Sequence, residues 1–165
     1  MVYPCRRRTV LGMTSQPTPS SDPIPNIATA SEPFRTGDEL RDRWRALMGP
    51  LGFSERLLWF AFVDTTGHIL PALNQLPLDG PPEPYLADLL MYRLSDVIDG
   101  HDVVSVAMLI TRPGADAITP WDRGWARLFA TAADLAGVSI QPIFRANAVD
   151  LVEVRDTRAA GRSVA

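Results

Sequence analysis

The sequence contains no lysine and only one cysteine, Cys5, among its 165 residues. All sixteen basic residues are therefore arginine, a pattern that we attribute to the coding bias of a GC-rich genome. A single cysteine excludes an intramolecular disulfide and a four-cysteine zinc site, and a cytoplasmic location is expected because the cytoplasm is reducing. The longest apolar run, LLWFAFV at residues 57–63, is too short to span a bilayer, so no membrane association is expected.

Several familiar catalytic motifs are also missing. The chain has no G-x-S-x-G stretch, no G-x-G-x-x-G stretch and no phosphate-binding loop, which argues against a nucleophile-elbow hydrolase and a dinucleotide-binding enzyme. The two histidines, His68 and His101, are far apart and more typical of turn or edge positions than of metal ligands. The formal net charge of −3 gives no electrostatic reason to expect nucleic acid as a partner.

What is present is enough for one ordinary domain. Hydrophobic residues make up 46% of the chain and charged residues 21%, values typical of a globular protein. Residues 1–34 are rich in proline, serine and threonine without an apolar period, so we predict a disordered tail there; whether Met1 or Met13 starts the protein is left open. Residues 35–156 are predicted to form a single α/β domain, and residues 157–165 a second disordered tail.

The apolar pattern predicts three helices and five strands. Thr36 and Glu39 have the spacing of a capping box at the start of the first helix, which Gly49-Pro50 ends. A buried strand, a turn at 64–67 and a return strand follow, and after a proline-rich loop at 74–84 helices alternate with strands. The predicted helices begin at 36, 85 and 120, and the predicted strands are 57–63, 68–72, 102–111, 138–146 and 149–154. This order predicts a mixed central sheet flanked by helices.

The stretch ITRPGADAITPWD, residues 110–122, connects the predicted central strand to the last helix. In its order of elements, residues 57–154 resemble the RadC-type branch of the JAB/MPN fold, a family of metal-dependent, peptidase-like α/β domains. In that family the strand ends in a His-x-His-Pro loop and an aspartate begins the next helix. Here ITRPGAD occupies the place of the loop, and TPWDRGWARLF the place of the helix.

The resemblance implies that the metal site has been lost. Ile110 and Arg112 stand where the family has its two histidine ligands, and only Asp122 remains of the ligand set. Isoleucine has no donor atom, and a guanidinium stays cationic and repels a metal ion. The stretch HILPALNQL at residues 68–76 lacks the glutamate that acts as general base. The chain is therefore expected to be a pseudoenzyme with no metal and no cofactor.

Four residues of this stretch also have an ordinary structural explanation. Thr119 and Asp122 have capping-box spacing, and an acid in the first helical turn complements the helix dipole. Arg112 is expected either to pair with Asp116 or Asp122, which we favour, or to hold an anion beside the helix start. Trp121 is expected to pack in the core, with a partner-anchoring role as the alternative.

The sequence thus favours a non-catalytic binding or scaffold module. Its ligand, a protein or a small anion, is expected in the former active-site cleft lined by Arg112, Asp116, Thr119, Trp121 and Asp122. One alternative is a metal-free enzyme that uses the Arg112/Asp122 cleft or the pair Asp64 and His68. A weaker alternative is a DNA-associated accessory protein, and a homodimer is left open because dimers are the commonest closed assembly.

Overall fold

The computed structural model describes residues 23–156 and places three α-helices and one five-stranded sheet among them. The helices are α1 (Gly37–Met48), α2 (Pro84–Asp99) and α3 (Pro120–Ala136), preceded by a short 3-10 helix at Ile27–Ser31. The strands are β1 (Leu57–Asp64), β2 (Asn74–Pro77), β3 (Val103–Thr111), β4 (Phe144–Ala146) and β5 (Leu151–Glu153). Among residues 23–156, none of the helices combines the length and the hydropathy that a membrane span requires.

The sheet is mixed, as the sequence predicts, with the strand order β2-β1-β3-β4-β5. Strand β1 is antiparallel to both of its neighbours, β2 and β3. Strands β3 and β4 are parallel and are joined through α3, while β5 returns antiparallel to β4. The carboxyl end of β3 therefore leads directly into the loop that precedes α3.

The sheet is the middle one of three layers, and β3 is its buried central strand. Val106, Met108 and Ile110 belong to a core cluster that includes residues of α2 and α3. The alternate residues Ala107 and Leu109 belong to a second cluster that contains Leu40 and Trp44 of α1. Because successive side chains of a strand point to opposite faces, α1 covers one face of the sheet, and α2 and α3 cover the other.

The predicted helix starts are confirmed. Thr36 and Glu39 form a complete capping box at the start of α1, and Thr119 and Asp122 form one at the start of α3. Helix α3 ends at Gly137, whose left-handed φ of 70° suits glycine because it has no Cβ to clash. The hydrogen bonds of the boxes satisfy backbone donors that the first helical turn leaves free.

Two of the predicted strands are wrong in extent. The return strand expected at 68–72 is reduced to one bridge between Val63 and Ile69, and regular pairing resumes at β2, inside the region predicted as a loop. The strand expected at 138–146 is regular only at β4, after a single bridge between Ile140 and Val106. Pro71 and Pro142 lie in the interrupted segments, and proline has no N–H to donate to a ladder.

The predicted N-terminal tail contains structure in the part that is described. Residues 27–31 form the 3-10 helix, and Phe34 is buried in the cluster on the α1 side of the sheet. The Phe34 N–H donates to the carbonyl of Gly67 at 3.0 Å, which ties this segment to the turn after β1. The expectation of disorder is therefore wrong for residues 23–34, while residues 1–22 and 157–165 lie outside the described residues.

Gly124 allows the loop before α2 to pack against α3. A Cβ at this position would lie 2.7 Å from Cγ of Pro82, which is closer than two carbons can approach. Alanine normally stabilises a helix interior by about 1 kcal/mol relative to glycine, but here we expect Gly124→Ala to lower the free energy of unfolding by about 1–3 kcal/mol through overpacking.

Urea unfolding of Gly124→Ala and of Gly37→Ala measures this effect. A Cβ added at Gly37 would have no atom within 4 Å, so Gly37→Ala is the matched control and is expected to change stability by less than about 0.5 kcal/mol. Equal stability of the two variants would show that Pro82 does not constrain α3.

Candidate functional site

Arg112 follows directly after β3 and forms a forked ion pair with Asp122 of α3. Its Nε lies 2.8 Å from Oδ1 of Asp122, and its Nη2 lies 2.9 Å from Oδ2. Arg112 is 5% exposed and Asp122 is fully buried. Two parallel charge-assisted hydrogen bonds are the strongest geometry available to this pair of side chains, so the loop between β3 and α3 is closed by a buried salt bridge.

Asp122 accepts further hydrogen bonds from the start of its own helix. Its Oδ2 accepts from the backbone N–H of Thr119 at 2.8 Å and from the Thr119 hydroxyl at 3.1 Å. Burial raises the pKa of Asp122, but the hydrogen bonds and charge of Arg112 and the hydrogen bonds of Thr119 outweigh burial and hold the pKa below its ordinary value. Asp122 is therefore an ionised structural carboxylate at neutral pH.

Every nitrogen of the Arg112 guanidinium donates to a protein oxygen. Besides the two bonds to Asp122, Nη1 donates to the carbonyl of Pro113 at 3.3 Å, and Nη2 donates to the carbonyl of Ala117 at 3.0 Å. The hydrogen bond to Asp122 raises the pKa of Arg112 above its usual value. The pairing favoured from the sequence is therefore the one present, and the guanidinium is directed into the protein instead of towards an external anion.

Three further residues complete this cluster, and the sequence analysis named none of them as a site residue: Arg145, Asn147 and Asp150. Arg145 of β4 is 1% exposed; it pairs with Asp150 and places Nε 3.9 Å from Oδ2 of Asp122. Asn147 is fully buried and donates to the carbonyl of Asp116 at 2.7 Å. Its own side-chain oxygen accepts from the N–H groups of Val149 and Asp150. The sequence did contain one indication of this cluster, namely an arginine within a short apolar strand. A buried guanidinium requires a carboxylate partner, so Arg145 could have been expected to pair with one.

The remaining residues of the predicted cleft do not face a common space. The Asp116 side chain is exposed, while its carbonyl is held from inside by Asn147. Trp121 is half-buried, and its Nε1 donates to the carbonyl of Gly80 at 2.8 Å. The guanidinium of Arg56 lies over the Trp121 ring, 5.2 Å from its centre. The structure therefore brings Arg112, Thr119 and Asp122 together with the backbone carbonyl of Asp116, which also accepts from Nη2 of Arg112 at 3.4 Å. The side chain of Asp116 is exposed, and Trp121 contacts Gly80 and Arg56 instead.

The residues that the JAB/MPN resemblance would make metal ligands do not fit a metal ion. Ile110 is fully buried in the apolar core, and Arg112 brings a positive charge to within hydrogen-bonding distance of the one carboxylate. A zinc site of this kind requires three protein donors and an open position for water. Within residues 23–156, no group of three or more His, Cys, Asp or Glu side chains is arranged to hold a metal.

Compared with models of known protein families and with curated protein sequences, the chain matches none.

The alternative pair, Asp64 and His68, forms a turn. Oδ1 of Asp64 accepts from the backbone N–H groups of Thr66 and His68, each at 2.9 Å, and from the Thr66 hydroxyl at 2.7 Å. The hydrogen bonds from the His68 backbone and the Thr66 side chain hold the pKa of Asp64 below its ordinary value. Such a side chain-to-backbone pattern is typical of a turn after a strand, and Nδ1 of His68 lies 2.6 Å from the Thr66 hydroxyl of the same turn.

A separate concave site lies on the other side of α3, between this helix and the β5 edge of the sheet. We name it the α3–β5 groove; it has a volume of about 850 Å³, within the range of small-ligand sites. Its apolar lining consists of Ala126, Ala130, Ile140, Pro142, Ile143 and Val154. Ala126 and Ala130 are one turn apart on α3 and have short side chains, which leaves space above the segment 140–143.

Three arginines border the α3–β5 groove, and they differ in their partners. Arg127 lies 3.6 Å from Asp156, and Arg155 lies 3.0 Å from Glu153. Arg123 donates through Nη1 to the carbonyl of Ile118 at 3.3 Å, but its buried Nε has no hydrogen-bond acceptor among the described residues. Arg127 and Arg155 each have a carboxylate partner, so Arg123 is the bordering cation without an ion pair among the described residues.

Because the pKa of Asp122 is lowered, the free energy of unfolding is expected to depend on pH in the acid range. A carboxyl group whose pKa is lower in the folded than in the unfolded state stabilises the fold above the unfolded pKa, and this stabilisation is lost as the pH falls through the folded pKa. We therefore expect the free energy of unfolding to be nearly constant from pH 7 to about pH 5 and to fall below about pH 4. Urea unfolding between pH 3 and 7 measures the profile.

The matched control for this profile is Asp64→Asn, which removes a carboxylate that also has a lowered pKa but is more exposed. We expect Asp64→Asn to retain most of the acid dependence and Asp122→Asn to be less stable at pH 7 with a flatter profile. If Asp122→Asn kept the full acid dependence of the wild-type protein, Asp122 would not be its source.

Proposed function

We propose that this protein is a non-catalytic binding module of JAB/RadC-like architecture, in which a buried ion pair occupies the place of the metal centre. The observation that carries the proposal is the fork between Arg112 and Asp122. The resemblance places metal ligands at positions 112 and 122, whereas in this protein the two side chains bind each other. Ile110 and Arg112 are two residues apart at the end of β3, so they lie on the same face of the strand, as the two histidines of the family motif must.

The same contacts argue against the enzyme alternative at this position. A general base must reach the proton that it removes, within about 3 Å. The Asp122 carboxylate has no exposed surface, and it already accepts from Arg112 and Thr119. The cluster therefore serves to hold the loop, and the ligand site lies elsewhere.

The α3–β5 groove is the site that we assign to the ligand. Its apolar lining suits a hydrocarbon or an apolar side chain, and we assign the anionic group to Arg123, the bordering cation that forms no ion pair among the described residues. A ligand with both features, such as an aliphatic carboxylic acid or an apolar peptide segment that bears a carboxylate, satisfies the two halves of the site at once. This assignment keeps the small anionic ligand expected from the sequence but moves it away from Arg112.

Metal analysis tests the first half of the proposal. Untagged protein purified without chelator and then dialysed against zinc-free buffer is expected to hold less than about 0.1 equivalent of zinc, iron or manganese by elemental analysis, because a tight site needs three donors. One equivalent of a transition metal that survives dialysis would overturn the assignment of residues 110, 112 and 122.

Ligand binding tests the second half, with decanoate as the anionic probe and decanol as the uncharged control. Isothermal titration calorimetry is expected to show that decanoate binds about tenfold more tightly than decanol, as a charge-assisted hydrogen bond at a half-buried site would provide. Arg123→Gln should remove this preference. Arg127→Gln, one turn along α3 and already paired, is the matched control and should retain it; equal effects of the two variants would refute a specific role of Arg123.

A further inference from the structure

Helix α2 has apolar side chains on its outer face as well as on its inner face. The inner residues Ala87, Met91 and Leu94 are buried in the core. On the outer face, Tyr85 is 69% exposed, Leu89 39% and Tyr92 61%. These three positions follow the spacing i, i+4 and i+7, so they form one continuous row along the helix, which we name the outer stripe.

The outer stripe has no partner within the described chain. Neither tyrosine hydroxyl makes a hydrogen bond in residues 23–156, although a tyrosine in an established interface usually pairs its hydroxyl. Single exposed apolar residues are ordinary on a protein surface, but an aligned row of two tyrosines and a leucine has the composition of a protein-binding hot spot.

Acidic residues lie along one side of the outer stripe and at its two ends. Asp88, Asp96 and Asp99 belong to α2, and Glu83 is its N-cap; all four are exposed. Within the described residues none of them forms an ion pair, and Arg93 is the single basic residue of the helix. The row is therefore continued by Asp96, one turn after Tyr92, and it has Asp88 on one side and Arg93 on the other. Carboxylates outnumber guanidinium groups on this face, and they are free to pair with another molecule.

We propose that the outer stripe docks a cationic amphipathic helix of a partner protein. The apolar side chains of such a helix would cover Tyr85, Leu89 and Tyr92, and its arginine or lysine residues would pair with the bordering carboxylates, so that attraction adds to apolar burial. From Glu83 to Asp99 these carboxylates extend about 24 Å along the helix axis at 1.5 Å per residue, so the matching partner helix has about four turns. This surface is separate from the α3–β5 groove and does not depend on the ligand proposed for it.

The charge also distinguishes this partner from a second copy of the chain. Two α2 helices packed through their outer stripes would bring their carboxylates together, and like charges placed across an interface repel each other. A cationic partner experiences the opposite effect. Its association should consequently be fast at low ionic strength and weaken as salt is added.

The test uses the full-length chain and a fluorescein-labelled 18-residue amphipathic helix of leucine and arginine with a net charge of +6. Fluorescence anisotropy is expected to show binding at 50 mM salt and at least tenfold weaker binding at 500 mM. A peptide with glutamate in place of arginine should not bind. Equal binding of the two peptides, or no binding of either, would overturn the proposal.

Protein variants locate the site. Tyr85→Ser, Leu89→Ser and Tyr92→Ser combined should weaken peptide binding at least tenfold, and Asp88→Asn with Asp96→Asn should reduce its salt dependence. These side chains are exposed, so the variants should fold, and thermal unfolding checks this. The matched control is Leu135→Ser: Leu135 is 81% exposed on α3 and lies outside the stripe. If Leu135→Ser weakened binding as much as the triple variant, the site would not be the outer stripe.

Two further measurements identify other occupants. If the protein bound the peptide only after Arg6, Arg7 and Arg8 were replaced by glutamate, the protein's own arginine cluster would be the occupant, which would overturn docking of a partner. If sedimentation showed a dimer that the triple variant abolishes, the occupant would be a second copy, with the same consequence. A monomer whose peptide affinity is unchanged by the glutamate replacements supports the proposal.

Discussion

Replacing Arg112 with methionine is expected to lower the free energy of unfolding by about 3–5 kcal/mol. The substitution keeps a chain of similar length but leaves the fully buried Asp122 carboxylate without its forked partner. Removal of one member of a buried ion pair is costly because the remaining charge keeps its desolvation penalty. Nearby Arg145, whose Nε is 3.9 Å away, offsets only a part of this loss. Urea unfolding at pH 7 measures the effect.

The double variant Arg112→Met/Asp122→Leu separates the cost of an unpaired charge from the contribution of the pair. Replacement of both members of a buried ion pair by apolar residues is often close to neutral, so we expect the double variant to be more stable than Arg112→Met alone. The double variant is still expected to be less stable than the wild-type protein. It lacks the capping box of α3, and Arg145 retains Asp150 as its single carboxylate partner among the described residues. If the double variant were as unstable as the sum of the two single variants, the two side chains would not be coupled.

Trp44→Ala is expected to destabilise the protein by a similar amount, about 3–5 kcal/mol, the usual cost of deleting a buried tryptophan. Trp44 has no exposed surface and lies in the cluster between α1 and the sheet. Together with Leu40, one turn earlier, it attaches α1 to the face formed by Ala107 and Leu109. Thermal and urea unfolding give the size of the loss.

Trp44→Phe is the matched control for this prediction. The Trp44 indole N–H is buried and has no acceptor among the described residues, so phenylalanine removes an unsatisfied donor together with part of the ring. We expect a loss of about 1 kcal/mol, far smaller than that of the alanine variant. A large loss for Trp44→Phe would mean that the indole N–H has a partner after all.

The bounds of the helices were predicted from the sequence more accurately than those of the two strands that contain a proline. Thr36 and Thr119 each begin a helix through local capping chemistry, which can be read from a spacing of three residues. The position of β2 depends on where the chain can pair with β1 again after Pro71, and the 3-10 helix at Ile27–Ser31 ends close to Phe34, which is held by Gly67. These are contacts across the chain that no local pattern contains.

The site was predicted in part for the same reason. The spacing from Thr119 to Asp122 and the isolated Arg112 after a buried strand were sufficient to predict the capping box and to favour an ion pair. The inward direction of the guanidinium depends on the carbonyls of Pro113 and Ala117, and the role of Arg145 depends on the parallel pairing of β3 with β4. No sequence pattern indicated the α3–β5 groove, because it results from short side chains opposite a segment far along the chain.

The central position of β3 also determines when the chain can fold during synthesis. A nascent chain that has reached about residue 100 contains α1, β1, β2 and α2 but lacks β3, the long antiparallel neighbour of β1. A two-stranded hairpin of β1 and β2 is marginal by itself, so the apolar faces of β1 stay accessible until residues 103–111 leave the ribosome. The interval before β3 emerges is therefore the stage of biosynthesis at which aggregation and chaperone binding compete with folding.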